Sequence, residues 1–174
     1  MQKTFAFFLF LLALTACATV YSENKENPPE AIHIPGNYQP KNVKTDATRK
    51  KLVREGEALI GTPYKYGGTT PAGFDCSGFT GFVYDKISMD ITRSSSSQAK
   101  KGKKIDLSEV LPGDLLFFTG TGKKKISHVA MIVSNNGKGI TVVHSTSSRG
   151  VRKDNITHST YWKPKILFAR RILK

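Results

Sequence analysis

The sequence predicts an α+β domain in which N-terminal helices pack on a C-terminal antiparallel β-sheet. Two segments with apolar residues at helical spacing come first, over residues 46–60 and from Cys76 onward. Runs typical of strands follow after residue 111, separated by turn residues. Because helices and strands are segregated along the chain rather than alternating, we expect an antiparallel sheet with helices packed against it.

The first helix has residues that favour helix ends at both boundaries. Thr45 or Asp46 can cap its start, and Gly61 can end it. Its apolar stripe includes Leu52, Val53 and Ile60. This stripe should face the sheet.

Four runs of apolar residues in the C-terminal half predict strands. They cover residues 114–118, 128–133, 140–144 and 166–171. The sequence Asn135-Asn136-Gly137 predicts a hairpin turn between the second and the third run. The stretch over residues 92–111 is rich in Ser and Lys and is predicted to be a surface connection.

The first 16 residues have the composition of an export signal. Lys3 precedes an apolar run, and small residues precede Cys17. The stretch Leu14-Thr15-Ala16-Cys17 resembles the bacterial lipobox, which implies that residues 1–16 are removed and that Cys17 is lipidated. Residues 17–45 are polar and are predicted to be a flexible tether, followed by one domain over residues 46–174.

The charge balance is strongly basic, with 27 Lys and Arg against 13 Asp and Glu and a formal net charge of +14. This excess favours anionic partners such as cell-wall polymers or phospholipid head groups. Nucleic acid is not an expected partner, because the sequence has an export signal and no basic motif interleaved with aromatic residues.

Cys76 is the cysteine that remains free if Cys17 is lipidated, and an unpaired thiol in an exported protein is a candidate nucleophile. It lies at the predicted start of a helix, where unpaired backbone N–H groups and the helix dipole favour a thiolate. We therefore expect a reactive thiol with a lowered pKa. The alternative is a small buried cysteine that only fills space.

His128 and His144 lie at the ends of predicted strands and are candidates for a base and the group that orients it. If the hairpin turns at Asn136, the two histidines face each other across the ladder, with Cβ atoms about 5 Å apart. His33 lies in the tether and His158 in a polar loop, so neither is a candidate base.

Zinc binding is an alternative chemistry for the same residues. Cys76, His128 and His144 could hold a zinc ion with water in the fourth position. The CxxC and HExxH spacings that mark metal sites are absent from the sequence. We therefore expect no metal and no cofactor.

These candidate residues lie within six short stretches of the sequence. They are Gly61-Thr-Pro-Tyr64-Lys-Tyr-Gly-Gly68, Phe74-Asp-Cys76-Ser-Gly78, Thr92-Arg93-Ser94-Ser95, Leu111-Pro-Gly-Asp-Leu115, Ser127-His128-Val129 and Val143-His144-Ser145. Together they resemble the NlpC family of papain-like cell-wall cysteine peptidases, from about residue 49 to residue 171. The resemblance implies a papain-like fold. Many relatives also carry a wall-binding module of the SH3 type, for which residues 18–45 are too short.

The resemblance implies a role for each central residue. Cys76 would be the nucleophile, His128 the general base, and His144 the polar residue that orients His128. Tyr64, together with the backbone N–H of Cys76, would hold the oxyanion. Asp75 would contact the substrate peptide or simply cap the helix.

Ser77 flanks the nucleophile on its other side, and the resemblance implies that it contacts the substrate. The implied function is a lipid-anchored endopeptidase that cleaves peptidoglycan stem peptides, at the bond between D-glutamate and the diamino acid or at the cross-link. We expect a monomer, anchored through Cys17 in the cell envelope at the periplasmic face of the outer membrane. The alternative is a wall-binding lipoprotein whose catalytic site is silent.

Overall fold

The described part of the chain comprises residues 43–120 and 125–174 of a computed structural model. Helices come first and an antiparallel sheet follows, so the predicted α+β architecture is confirmed. The predicted signal peptide at residues 1–16, the lipidation site Cys17 and nearly all of the predicted tether lie outside the described residues.

The first helix, α1, spans Val43–Glu57 and so begins and ends earlier than the predicted 46–60. Neither Thr45 nor Asp46 is its cap, because both lie within the helix. Asp46 lies in the first turn, where the helix dipole favours a carboxylate. Leu52 is fully buried as predicted, whereas Ile60 is 47% exposed because it lies beyond the helix end. None of the helices in residues 43–120 and 125–174 is both long enough and apolar enough to span a bilayer.

Two more α-helices follow in the described residues. α2 spans Cys76–Asp85, which confirms its predicted start, and α3 is a single turn over Ser95–Gln98. Asp75 caps α2 by accepting a hydrogen bond from the N–H of Gly78 at 2.6 Å. The cap satisfies one of the donors that a helix start leaves unpaired. Short 3-10 helices cover Leu107–Glu109 and Lys163–Lys165.

The strands of the described residues form a small hairpin and one large sheet. The hairpin, which precedes α2, pairs β1 (Thr69–Thr70) with β2 (Gly73–Phe74). The large sheet contains β3 (Lys103–Ile105), β4 (Leu115–Thr119), β5 (Ile126–Asn136), β6 (Gly139–Thr146), β7 (Gly150–Asn155) and β8 (Ile166–Arg171). Its strands are antiparallel in the order β3-β8-β4-β5-β6-β7.

The four predicted strands correspond to β4, β5, β6 and β8, whereas β3 and β7 were not predicted. These two are the edge strands of the large sheet, and their polar sequences lack the apolar alternation from which strands are predicted. The stretch over residues 92–111 is therefore more than a surface connection. It contains α3 and β3, and it buries Gln98 and Ala99.

Apolar side chains cover both faces of the large sheet. On one face, Leu52 of α1 and Phe79 of α2 belong to the same buried cluster as Met131 of β5. On the other face, Ile156 and Trp162 from the connection between β7 and β8 complete a second cluster. Strand β4 is buried on both sides, which explains its continuous apolar sequence.

A buried ion network ties α1 to the sheet. Asp114 is fully buried and accepts hydrogen bonds from Arg49 of α1 at 3.0 Å and from Arg171 of β8 at 2.9 Å. The N–H of Leu111 also donates to its carboxylate at 2.8 Å. Asp114 was predicted to begin a strand, but it precedes β4 and connects three elements.

Candidate active site

The start of α2 fixes the position of Cys76. The backbone here passes so close to the loop before β1 that a Cβ on Gly78 would lie 2.0 Å from the carbonyl oxygen of Gly68. The N–H of Asp75 donates to the same carbonyl at 3.0 Å. This packing requires glycine at position 78 and presents the Cys76 side chain to an open cleft of about 540 Å³.

The thiol of Cys76 is subject to opposing electrostatic effects. Burial raises its pKa, and the negative charge of Asp75 acts in the same direction. Hydrogen bonds from the backbone N–H groups of Val129 and Ser77 act to lower the pKa. Burial prevails, so the pKa is raised and the expected lowered pKa is wrong. The helix start is a weaker influence here than the loss of solvent.

Three of the predicted site residues meet at this cleft. Tyr64, Cys76 and His128 all line it. The contact between the Cys76 sulfur and the N–H of Val129 places the thiol beside the residue that follows His128 on β5. A thiol and an imidazole are thus presented to the same space.

His144 is fully buried behind His128 and contacts it through a ring nitrogen. Nε2 of His128 lies 2.9 Å from Nδ1 of His144, which is hydrogen-bond distance. The structure therefore brings the two predicted histidines together. This contact uses Nε2 of His128 and leaves its other ring nitrogen, Nδ1, available for chemistry.

The pairing of β5 with β6 differs from the predicted register. The strands turn at Gly137 and Lys138 rather than at Asn136, and Met131 pairs with Val143. The two histidines are therefore diagonal neighbours, and their predicted direct opposition is wrong. The displacement is odd beside the turn, but a β-bulge in β5 between Ile132 and Ser134 makes it even towards the histidines. Both side chains therefore keep the same face of the sheet and still meet.

Asp154 extends the pair of histidines by one more residue. Its Oδ2 lies 3.0 Å from Nε2 of His144, and its Oδ1 lies 2.5 Å from Nη2 of Arg152. Both residues belong to β7, whose polar sequence gave no strand signal. Asp154 was therefore not predicted as a site residue, since its link to His144 depends on the pairing of β6 with β7, and β7 was not predicted.

An aromatic wall covers the two histidines. The indole of Trp162 stacks on His128 with ring centres 4.7 Å apart and lies 4.9 Å from the ring of His144. Phe118 lies 5.6 Å from the His128 ring on another side. Burial, with a smaller contribution from His144, lowers the pKa of His128 well below 6.5. His128 is therefore a neutral imidazole near pH 7.

Tyr64 precedes Cys76 in the sequence, whereas His128 follows it, and both line the same cleft as Cys76. Its backbone forms a bridge with Phe74, immediately before the start of α2. Burial raises the pKa of the Tyr64 hydroxyl, and the charges of Cys76 and Asp75 add to the effect. The hydroxyl is therefore protonated and can donate a hydrogen bond into the cleft.

Asp75 and Ser77 lie beside the cleft rather than among the residues that line it. Arg93 donates to both carboxylate oxygens of Asp75, at 3.1 and 2.6 Å, and to Oγ of Ser77 at 3.1 Å. Burial raises the pKa of Asp75, but hydrogen bonds from Arg93 and Gly78 outweigh it and lower the pKa. Arg93 lies in one of the six stretches, but its sequence context predicted no role for it.

The donors expected of a zinc site are arranged differently here. The nitrogens of His128 and His144 point at each other and at Asp154 rather than at a shared point. Within residues 43–120 and 125–174, no group of three or more His, Cys, Asp or Glu side chains is placed to hold a metal ion.

Comparison with known proteins places this site in a family context. The sequence profile of the NlpC/P60 family matches residues 61–171. The chain is 40% identical over 114 residues to the probable endopeptidase NlpC of Escherichia coli (strain K12), covering 64% of this chain and 70% of that protein.

Two relatives from Bacillus subtilis (strain 168) are longer proteins. The chain is 40% identical over 127 residues to the probable peptidoglycan endopeptidase LytE, covering 73% of this chain and 35% of that protein. It is 36% identical over 133 residues to a gamma-DL-glutamyl hydrolase, covering 75% of this chain and 31% of that protein. The chain thus spans about a third of each of these two relatives.

A solved structure of an NlpC/P60 family protein from Bacillus cereus ATCC 10987 has a similar fold. It superposes with a TM-score of 0.66 at 32% identity, covering 72% of this chain and 40% of that chain. The similarity confirms the papain-like α+β fold.

Proposed function

The chain belongs to the NlpC/P60 family, and on that premise we propose that it is a cysteine peptidase that hydrolyses amide bonds in peptidoglycan. One observation carries the proposal: Cys76 and His128 line one cleft, and His128 is hydrogen-bonded to His144. The name of LytE, a probable peptidoglycan endopeptidase, supports the substrate class.

In the proposed reaction, Sγ of Cys76 attacks the amide carbonyl carbon while His128 accepts the thiol proton. His128 then gives this proton to the amine nitrogen as the C–N bond breaks, which leaves a thioester on Cys76. Water attacks the thioester carbon and gives a proton to His128. The C–S bond breaks, the proton passes to the sulfur, and the carboxylic acid leaves.

The protonation states of the pair determine the timing of the first proton transfer. Burial raises the pKa of Cys76 and lowers that of His128, so the resting pair consists of a thiol and a neutral imidazole. Proton transfer should therefore accompany attack on the carbonyl rather than precede it. The tetrahedral oxyanion would accept hydrogen bonds from the Tyr64 hydroxyl and from the backbone N–H of Cys76.

We propose that the bond cut is the one between D-glutamate and the diamino acid, with the stem-peptide cross-link as the alternative. The name of the gamma-DL-glutamyl hydrolase supports a glutamyl bond. Arg149, Arg152 and Lys165 also line the cleft, and their positive charges complement the carboxylates of a stem peptide. Asp75 and Ser77 would support this site by holding the start of α2 together with Arg93.

The proposal includes the position of the enzyme in the cell. Lipidation at Cys17 would anchor a monomer to the outer membrane, facing the periplasm, and residues 17–45 would let the domain reach the wall. The lipobox-like stretch and the polar composition of this segment support the anchor. Mass spectrometry of the protein extracted from membranes would test it, because Cys17→Ala should abolish the lipid adduct and release the protein.

The activity can be tested by mass spectrometry of fragments released from purified peptidoglycan by the full-length chain. We expect fragments that identify one cleaved bond, and none of them with Cys76→Ala at equal concentration and equal thermal stability. Lys153→Gln, on an exposed face of β7, is the matched variant that should retain cleavage. Binding to the wall without cleavage by wild-type protein would favour a silent wall-binding lipoprotein instead.

A further inference from the structure

The role of Asp154 follows from the hydrogen bonds that connect it to the catalytic cleft, and it rests on the proposed function of Cys76 and His128. We propose that Asp154 is a positioning residue that fixes the tautomers of His144 and His128 and so leaves Nδ1 of His128 as the free base.

The carboxylate of Asp154 accepts hydrogen bonds and cannot donate them when ionised. Burial acts to raise its pKa, but the hydrogen bonds from His144 and Arg152 outweigh burial and lower the pKa, so Asp154 is ionised near pH 7. Arg152 occupies Oδ1 at 2.5 Å and Oδ2 lies 3.0 Å from His144. The other charged residues that line the cleft, Arg149 and Lys165, are basic.

The tautomer of His144 follows from this contact. Nε2 of His144 must carry the proton, because its partner is an acceptor. In a neutral ring Nδ1 is then a bare acceptor, and it lies 2.9 Å from Nε2 of His128. Nε2 of His128 must therefore be the donor, and Nδ1 of His128 keeps its lone pair.

The opposite tautomers would disable the base. If Nδ1 of His144 carried the proton, it would donate to Nε2 of His128, and the proton of the neutral His128 ring would then lie on Nδ1. No lone pair would remain on His128 to accept the thiol proton of Cys76. Burial of His144 and the Trp162 wall limit the water that could otherwise satisfy either tautomer.

The strand pairing holds Asp154 in place for this role. His144 on β6 pairs directly with Arg152 on β7, and Asp154 lies two residues further along the same face. Arg152 can only donate, so it requires an oxygen at the Oδ1 position. This requirement makes the Asp154→Asn variant informative, since the amide oxygen should turn to Arg152 and the amide NH₂ to His144.

The NH₂ of Asp154→Asn would donate to Nε2 of His144 and select the disabling tautomers. We expect kcat on a soluble stem-peptide substrate to fall about 100-fold with little change in KM. Asp154→Ala leaves both tautomers accessible and should lose less. A purely structural role predicts the reverse order, because Asn matches Asp in shape and Ala does not. Lys153→Gln on the same strand is the control with unchanged activity.

Ring ¹⁵N NMR of the histidines provides the readout that does not depend on activity or on the substrate. In the wild type we expect Nε2 to be protonated and Nδ1 to be bare in both His128 and His144, and Asp154→Asn to reverse this. A proton on Nδ1 of His144 in the wild type, or Asp154→Asn more active than Asp154→Ala, would overturn the proposal. The expected tautomers in a protein that cleaves no peptidoglycan would instead count against the proposed function alone.

Discussion

Burial has opposite effects on the pKa values of the two residues at the centre of the cleft. It raises the pKa of Cys76 and lowers that of His128, because in each case it penalises the charged form. The helix start and the Val129 N–H stabilise a thiolate but do not overcome this penalty. A thiol beside a neutral base can stay unreactive towards solvent until a carbonyl is bound.

The raised pKa of Cys76 can be measured by alkylation. We expect the rate of reaction with iodoacetamide to rise through a pKa above 9.0, the ordinary value for the thiol, because burial disfavours the thiolate. Mass spectrometry would quantify the adduct on Cys76, with Cys76→Ala as the blank and N-acetylcysteine as the exposed thiol. A rate that is already maximal near neutral pH would contradict the neutral resting pair.

The lowered pKa of His128 should set the acidic limit of the proposed activity. A base with a pKa below 6.5 remains unprotonated as the pH falls through 6.5, so kcat/KM should decline only at lower pH. The free energy of unfolding should also decrease as the pH falls below 6.5. Below this pH the unfolded chain takes up a proton on His128, whereas the folded protein does not. A pH profile of kcat/KM on a soluble substrate checks this. A decline centred at or above pH 6.5 would show that His128 titrates normally.

At the scale of the element, α2 combines tight packing at its start with ordinary packing one turn later. A Cβ on Gly78 would lie 2.0 Å from the Gly68 carbonyl oxygen, whereas a Cβ on Gly81 would meet nothing closer than 3.9 Å. Both glycines lie within the same helix. Substituting each glycine in turn therefore distinguishes the effect of close packing from the effect of the low helix propensity of glycine.

Gly78→Ala should displace the start of α2 and with it the Cys76 thiol. We expect a loss of more than about 2 kcal/mol in the free energy of unfolding, as for other overpacked buried sites, together with loss of cleavage. Gly81→Ala should instead gain up to about 1 kcal/mol from helix propensity and retain activity. Urea unfolding of the two variants measures both effects. Equal stability of the two would show that the loop before β1 yields to the added methyl group.

The sequence predicted elements better than it predicted contacts between them. The start of α2 and strand β8 were predicted correctly, because a cap residue and a run of apolar residues are local signals. The register of β5 on β6 was wrong, since the turn is one of several that the Asn-Gly sequence permits. The two histidines still meet because the β-bulge in β5 makes the displacement even at their positions and so preserves the face.

Asp154 and Arg93 were beyond the reach of local patterns. Asp154 meets His144 only through a polar edge strand, and Arg93 meets Asp75 across a loop. Nothing in the spacing of either residue distinguishes it from a solvated surface charge. The prediction of a lowered pKa for Cys76 was wrong for a related reason. Burial raises this pKa, and burial depends on residues distant in sequence.

At the scale of the whole molecule, one buried carboxylate joins the helical layer to the sheet. Arg49 on α1, whose side chain is 4% exposed, and Arg171 on β8 both pair with the fully buried Asp114. Asp114 lies just before β4, a central strand of the large sheet. The network therefore sets where α1 lies against the sheet on which the cleft is built.

Asp114→Ala should destabilise the whole domain by about 3–5 kcal/mol, because it leaves the buried guanidinium of Arg49 without a counter-ion. The matched control is Glu57→Gln, which removes the more exposed pair between Glu57 and Lys153 and should cost about 0.2–1 kcal/mol. Urea unfolding monitored by Trp162 fluorescence measures both. Because Asp114 lies outside the cleft, the kcat/KM of the folded fraction should stay unchanged. A cost for Asp114→Ala no larger than that for Glu57→Gln would mean that water reaches Arg49 once the carboxylate is removed.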